Sequence, residues 1–247
     1  MKKKDSLFDK DLKIKVFGIG WWFYMILTAL GLLAVSLLGK NMDEQGKMKL
    51  VLVLSIIEYI VLRIYKFSLK HIRSNYNYWN ELPCYLCNQS TLMCILASLT
   101  GNIPVMSYCV TIGTLGALLA VFMPDSYNKD QPFYSKQALG FYGYHGLLII
   151  SCLSFYTLGL YKPRLIHTLW GMLFTFLLAC LAHVINIFMI KTGLNPGSNY
   201  VFTMKPDNYF LQKMYDAIHI RLLYLIPLLL ILGVLSFVML ALFGLII

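Results

Sequence analysis

Seven long apolar runs, separated by short polar segments, restrict this chain to a bundle of helices in a membrane. Hydrocarbon offers no water to bond backbone N–H and C=O groups, so runs of about 20 apolar residues can cross it only as helices. Taken in order, the runs predict spans at 16–38, 50–66, 84–100, 104–123, 138–160, 167–190 and 220–246. The expected fold class is all-α, a polytopic membrane helix bundle of about seven transmembrane helices. Residues 1–15 form a basic N-terminal arm, and 16–247 form a single membrane domain. Gly101-Asn102, Pro124-Asp125, Lys162-Pro163 and Pro196-Gly197 mark turns between spans. Composition agrees: 59% of the residues are hydrophobic and 13% charged, where soluble domains carry roughly 25% charged. With so little chain left over, any chemistry has to sit among the helices or in the short loops.

Net charge is +10, from 21 Lys and Arg against 11 acidic residues. In a membrane protein such an excess reports topology and contact with anionic lipid. No basic stripe with interleaved aromatics exists outside the spans, so nucleic acid is excluded as a partner. An N-terminus in the cytoplasm puts sixteen basic residues on the cytoplasmic side and five outside, which predicts N-terminus in and a multi-pass protein of the cell membrane. The run from Val16 to Leu38 is too long for a signal-peptide core, so a retained first span is expected. In the fourth span, Gly113/Ala117 and Gly116/Ala120 are small-residue pairs that let helices approach closely. Six cysteines lie within or at the entrance of spans, where a disulfide framework has no loop to form in.

Strongly polar groups inside spans are costly and collect where function needs them. Here they are Glu58, Arg63, the stretch from Cys87 to Thr91, His145, His183 and Asn186. Counting from span ends, Glu58, Cys87, His145 and His183 fall roughly 5–12 Å below the cytoplasmic face, at 1.5 Å per residue. Four helices thus place polar groups in one layer. Cys84, Cys87, Asn88 and Thr91 share one face of span three at i, i+3, i+4, i+7 spacing, as His183 and Asn186 share a face of span six. A cavity lined by these faces is expected to open toward the inner leaflet.

A thiol becomes a nucleophile when a neighbouring imidazole takes its proton. Cys87 follows Pro83 into the first turn of its helix, where the dipole favours a thiolate and free amides can hold an oxyanion. Plainer readings stand beside this one. A membrane Cys is commonly inert packing, a membrane His commonly an interhelix hydrogen bond, and Glu58 can pair with Arg63 or a His. Cys84-x-x-Cys87 has the spacing of a redox pair, but two Cys alone make a poor zinc site. His145 and His183 could ligate a haem, yet no other cofactor feature accompanies them, and no cofactor or metal is expected.

Leu82-Pro83-Cys84-Tyr85-Leu86-Cys87 resembles the LPLHLC-type motif of the YwaF-type bacterial integral membrane proteins, which are related to the transmembrane protein 164 family. The span from Gly113 through Gly116, Ala117 and Ala120 to Pro124 is similar to that family's glycine-alanine span. Tyr144-His145-Gly146 is similar to its histidine in the next span, and Asn199-Tyr200-Val201-Phe202-Thr203-Met204-Lys205-Pro206 to its NYMFL-x-x-KP segment. The resemblance implies a multi-helix membrane fold and, for the eukaryotic relative, acyl transfer onto ether phospholipids by a cysteine and a histidine. Those match Cys87 and His145 here. Two departures stand out: Tyr85 replaces the motif's histidine, and Cys84 its leucine.

The leading expectation is a lipid acyltransferase or acyl-lipid hydrolase acting on a membrane phospholipid. Cys87 is the nucleophile and His145 the base. Asn88 serves the oxyanion, and His183 and Asn186 serve orientation. Asn199 and Lys205 serve the headgroup phosphate. The alternative is a non-enzymatic small-molecule transporter or binding protein in which Glu58 carries a proton.

Overall fold

Each apolar run closes into a helix where the chain supplies a cap at one end and a break at the other. Asp43, Asn102 and Ser135 cap the helices that follow them by accepting from Gly46, Val105 and Ala138 N–H groups. Gly101, with φ of 64°, ends another in the left-handed conformation that glycine adopts without penalty. The structure, a computed structural model, describes residues 13–71, 76–124, 128, 131–207 and 209–246. Most of the basic arm therefore lies outside the described residues. The helices are α1 (Ile19–Gly39), α2 (Glu44–Ser68), α3 (Leu86–Thr100), α4 (Ile103–Phe122), α5 (Lys136–Thr157), α6 (His167–Lys191), α7 (Tyr209–Ala217) and α8 (Ile226–Ile246). The described fold is all-helical, at 76% helix with no strand.

All seven expected spans coincide with a helix, but not all are equally suited to crossing. Five are long and apolar enough by themselves: α1, α4, α5, α6 and the stretch Leu223–Gly244. At 25 residues α2 is long, but Glu58, Arg63 and Lys66 dilute its apolar character. With 15 residues α3 is apolar but short, about 22 Å against a hydrocarbon core of about 30 Å. It starts at Leu86 rather than 84 because Pro83 and a tight turn, Cys84 N–H to the Leu82 carbonyl, precede it. The last helix starts later than its run. Residues 209–217 instead make α7, which buries Leu211 and Met214 against Tyr224 and Leu225 and exposes Tyr209 and Phe210.

Contacts fix the directions. Thr28 meets Gly146 and Gly31 meets Ile150, so α1 runs parallel to α5. Thr91 with Tyr144 and Cys94 with Cys152 make α3 parallel to α5. Glu58 with Thr91, and Met48 against Gly101, make α2 antiparallel to α3. Ser107 Oγ donates to the His167 carbonyl and, four residues on, Gly171 lies against Thr111 and Ile112, so α6 follows the direction of α4. Helix direction thus alternates along the chain. The end where the chain enters α1, here called proximal, also gathers the segments before α3, before α5 and between α6 and α8.

The α5 helix is the hub, burying Tyr144, Leu148, Cys152 and Phe155 on the face it turns to α3 and α4. Against it α4 is locally widened at Cys109–Gly113, where the turn is π-helical. A Cβ at Gly113 would stand 2.8 Å from the Cys152 sulfur, so only glycine permits this approach. Gly116, by contrast, meets nothing nearer than Leu86 at 3.9 Å. Of the two small-residue pairs, Gly113/Ala117 makes the close contact. Gly113→Leu should lower stability by about 1–3 kcal/mol through overpacking, while Gly116→Ala should leave it unchanged; thermal unfolding in detergent checks both.

Candidate functional site

The site is built around the first turn of α3. Tyr85 occupies the N-cap position and offers no side-chain bond to the turn, in contrast to the capped α2, α4 and α5. Gln89 N–H is the first to close onto the helix, on the Tyr85 carbonyl. The amides of Leu86, Cys87 and Asn88 are the orphan donors every helix start leaves. Cys87 sits among them, partly exposed, with Lys66 and Glu58 close enough to act on it electrostatically.

Behind it a hydrogen-bond chain joins three helices. Thr91 Oγ1 donates to Glu58 Oε1 at 2.5 Å. The Tyr144 hydroxyl lies 3.1 Å from Thr91 Oγ1 and donates to Asn88 Oδ1 at 3.3 Å. Glu58 is fully buried, and its partner is this chain rather than Arg63. Arg63 instead donates to the Glu81 carbonyl, while Lys66 pairs with the Glu81 carboxylate at 2.7 Å. That pins the segment before α3 to the end of α2.

His145 follows Tyr144 on α5 and is buried between the rings of Phe141 and Tyr144. Its Nδ1 lies 2.7 Å from the Phe141 carbonyl oxygen. A carbonyl only accepts, so Nδ1 carries the hydrogen, and in the neutral ring the lone pair belongs to Nε2. Helix register sets its level. Cys94 and Cys152 stand Sγ to Sγ at 3.4 Å across parallel helices. Seven residues earlier on each lie Cys87 and His145, about 10.5 Å nearer the proximal end and on nearly the same faces. They therefore share one level of the α3–α5 interface. Among the described residues no hydrogen bond joins them.

The other expected residues form a neighbouring cluster. Asn186 is buried and uses its whole carboxamide on one loop. It donates to the Tyr200 carbonyl and Thr203 Oγ1, and accepts from Ser198 Oγ and Tyr200 N–H. His183 Nδ1 meets the same Thr203 hydroxyl at 3.1 Å. The loop so held presents Tyr200, which packs edge-on against Tyr85 at 5.4 Å and donates to the Trp79 carbonyl. Burial, with Cys84 and Tyr85 beside it, pushes the Tyr200 phenol above its ordinary range. Asn199 ties its own loop, accepting from Met204 and Lys205 N–H and donating to the Lys205 carbonyl. Lys205 itself is exposed. Cys84 and Cys87 are separate free thiols. Among the described residues no group of His, Cys, Asp and Glu is arranged to hold a metal.

The structure thus brings Glu58, Thr91, Asn88, Cys87 and His145 to one level, and His183 and Asn186 to the loop beside it. Tyr144 and Tyr200 join them without having been singled out in the sequence. Tyr144 was signalled only as the neighbour of His145, and Tyr200 only as part of the Asn199 segment.

Residues 16–247 match the sequence model of the TMEM164 family. The chain belongs to the TMEM164 family. No curated protein and no solved structure matches it. The four motif segments all fall inside the matched region, and three of them converge on this site of the TMEM164-family fold: the segment 82–87 at the start of α3, Tyr144-His145 on α5, and the loop from Asn199. Asn186→Ala should cost about 1–3 kcal/mol, because it strands buried partners on the loop. The expected readouts are a lower unfolding temperature and faster amide exchange at 198–203.

Proposed function

We propose that this protein is a lipid acyltransferase or acyl-lipid hydrolase that works through Cys87 and His145. The observation that carries the proposal is the α3–α5 register: it sets a partly exposed cysteine in an uncapped helix turn level with a histidine whose Nδ1 hydrogen faces the Phe141 carbonyl, which makes Nε2 the basic nitrogen of the ring. The family relation supports a lipid substrate.

In this mechanism a phospholipid ester enters at the proximal end, and Cys87 Sγ attacks its carbonyl carbon. His145 Nε2 accepts the thiol proton, and the developing oxyanion is met by first-turn amides and the Asn88 carboxamide. The ester C–O bond breaks, the proton passes from His145 to the leaving lysolipid oxygen, and a thioester remains on Cys87. A second alcohol, or water, then attacks the thioester. It gives its proton to His145, which returns it to the cysteine sulfur. Lys205 at the rim attracts the headgroup phosphate, and His183 and Asn186 act by holding the Tyr200 loop beside the nucleophile.

Topology completes the proposal. The proximal end carries the basic N-terminal arm and most of the Lys and Arg, so it faces the cytoplasm. All seven expected spans cross, and α3, too short to span the hydrocarbon fully, leaves its first turn recessed below the proximal surface. That recess suits a chain of the YwaF type in a bacterial cell membrane, drawing its substrate from the inner leaflet.

The experiment is intact-mass analysis of purified protein after incubation with phospholipid vesicles. An acyl adduct removable by hydroxylamine is expected on the wild type and absent from Cys87→Ala. With His145→Ala its formation should slow by about 10²–10⁴-fold, the worth of a positioned base. An adduct indifferent to both substitutions, or none at all, overturns the proposal.

A further inference from the structure

The segment between α6 and α8 joins two helices long and apolar enough to cross a membrane, so it lies at one membrane surface. The α6 helix ends at Lys191, and the apolar stretch that carries α8 opens at Leu223. Between them α7, Tyr209–Ala217, packs Leu211 and Met214 onto Tyr224 and Leu225 at the start of α8. That contact holds α7 beside the point where α8 enters the hydrocarbon.

The packed stripe leaves part of the apolar surface of α7 uncovered. Phe210 stands one turn before Met214 and is 49% exposed, while Tyr209 is 78% exposed and Ile220, just past the helix, 57%. Such residues gathered on one element mark a contact surface. The α8 helix continues the exposure with Ile226, Leu230, Val234 and Phe237, which face acyl chains where it crosses. The exposed rings of α7 extend this surface to the level of the headgroups, where aromatic side chains are favoured.

Charge borders the same edge. Lys213 follows Phe210 by three residues and so lies next to it on the helix surface. Its Nζ stands 5.4 Å from the centroid of the Tyr209 ring. Asp216, the carboxylate of α7, accepts from Gln212 at 2.8 Å on the other flank. Among the described residues the ion pair joins Lys66 to Glu81, and Lys213 makes none. An ammonium without a carboxylate partner, set beside exposed rings at headgroup level, suits a negatively charged lipid.

We infer that α7 is an interfacial helix that docks on anionic phospholipid, with Phe210 set among the upper acyl chains and the Lys213 ammonium on the charged headgroup. The dock also steadies the loop beside Cys87. Leu222 N–H donates to the Thr203 carbonyl and the Tyr224 hydroxyl to the Phe202 carbonyl, which bonds the chain after α7 to the loop that carries Tyr200. Docking itself requires no chemistry at Cys87.

The test is photo-crosslinking of the full chain in vesicles made of phosphatidylglycerol and phosphatidylcholine in equal amounts. One variant is Phe210→p-benzoylphenylalanine and the other is Val234→p-benzoylphenylalanine, on the exposed side of α8; intact mass identifies the lipid attached after irradiation. At position 210 phosphatidylglycerol adducts should exceed phosphatidylcholine adducts by about 3-fold or more, the scale of one basic residue near a charged surface. At position 234 the two should be equal. Lys213→Gln should bring position 210 to near equality. Should the first variant fail to fold, Tyr209, the more exposed ring, carries the same probe. Labelling at 234 with none on α7 overturns the docking. Equal labelling on α7 by the two lipids, or an excess that survives Lys213→Gln, overturns the anionic site.

Discussion

A carboxyl group that no water reaches has to be bonded by the protein, and Glu58 is such a group. Leaving it without a partner in a low-dielectric interior costs several kcal/mol. Its acceptor oxygen is met by Thr91 from α3, and Thr91 in turn by Tyr144 from α5. Apolar side chains alone would let three helices slide past one another at little cost, since lipid tails are as apolar as leucine. The hydrogen-bond chain removes that freedom. It selects one register of α2, α3 and α5, and that register sets the level of Cys87 and His145.

Close packing then holds the register from the other side. Gly113 lets α4 reach the Cys152 sulfur, and the π turn at Cys109–Gly113 adjusts the α4 surface where Cys94, Cys109 and Cys152 bury together. These cysteines behave as small packing groups two turns above the candidate nucleophile. A parallel division holds at the proximal end. The Asn186 carboxamide spends all four of its bonds on the loop that carries Tyr200, so the wall beside Cys87 is fixed by α6 rather than by the loop's own residues.

Much of this was legible in the sequence, for identifiable reasons. Runs of apolar residues located six long helices and the shorter α3 because lipid admits little else. The Gly113/Ala117 pair announced a close contact because no other residues permit one. Cys87 and His145 could be set at one depth because rise per residue converts position into height. Other features were not legible. The run from 220 hid where α8 begins, and α7 went unnoticed because its nine residues are too few to make a membrane-length apolar run. The Glu58 partner was open, since Arg63 lies close in sequence but turns to Glu81. Tyr144 looked like any interior tyrosine until its hydroxyl was found between Thr91 and Asn88.

The sequence by itself determined that the chain is a helical membrane protein, roughly where each helix runs, and which polar residues lie near one end. These follow from hydrophobicity and helical rise, which are local properties. Only the tertiary structure decided which of those residues meet: Glu58 with Thr91, Tyr144 with Asn88, Asn186 with the Tyr200 loop, and Cys87 level with His145. Rotation of a helix about its axis and its offset against a neighbour are set by contacts between segments distant in the chain. A residue's depth can be counted along its own helix, but its partner cannot.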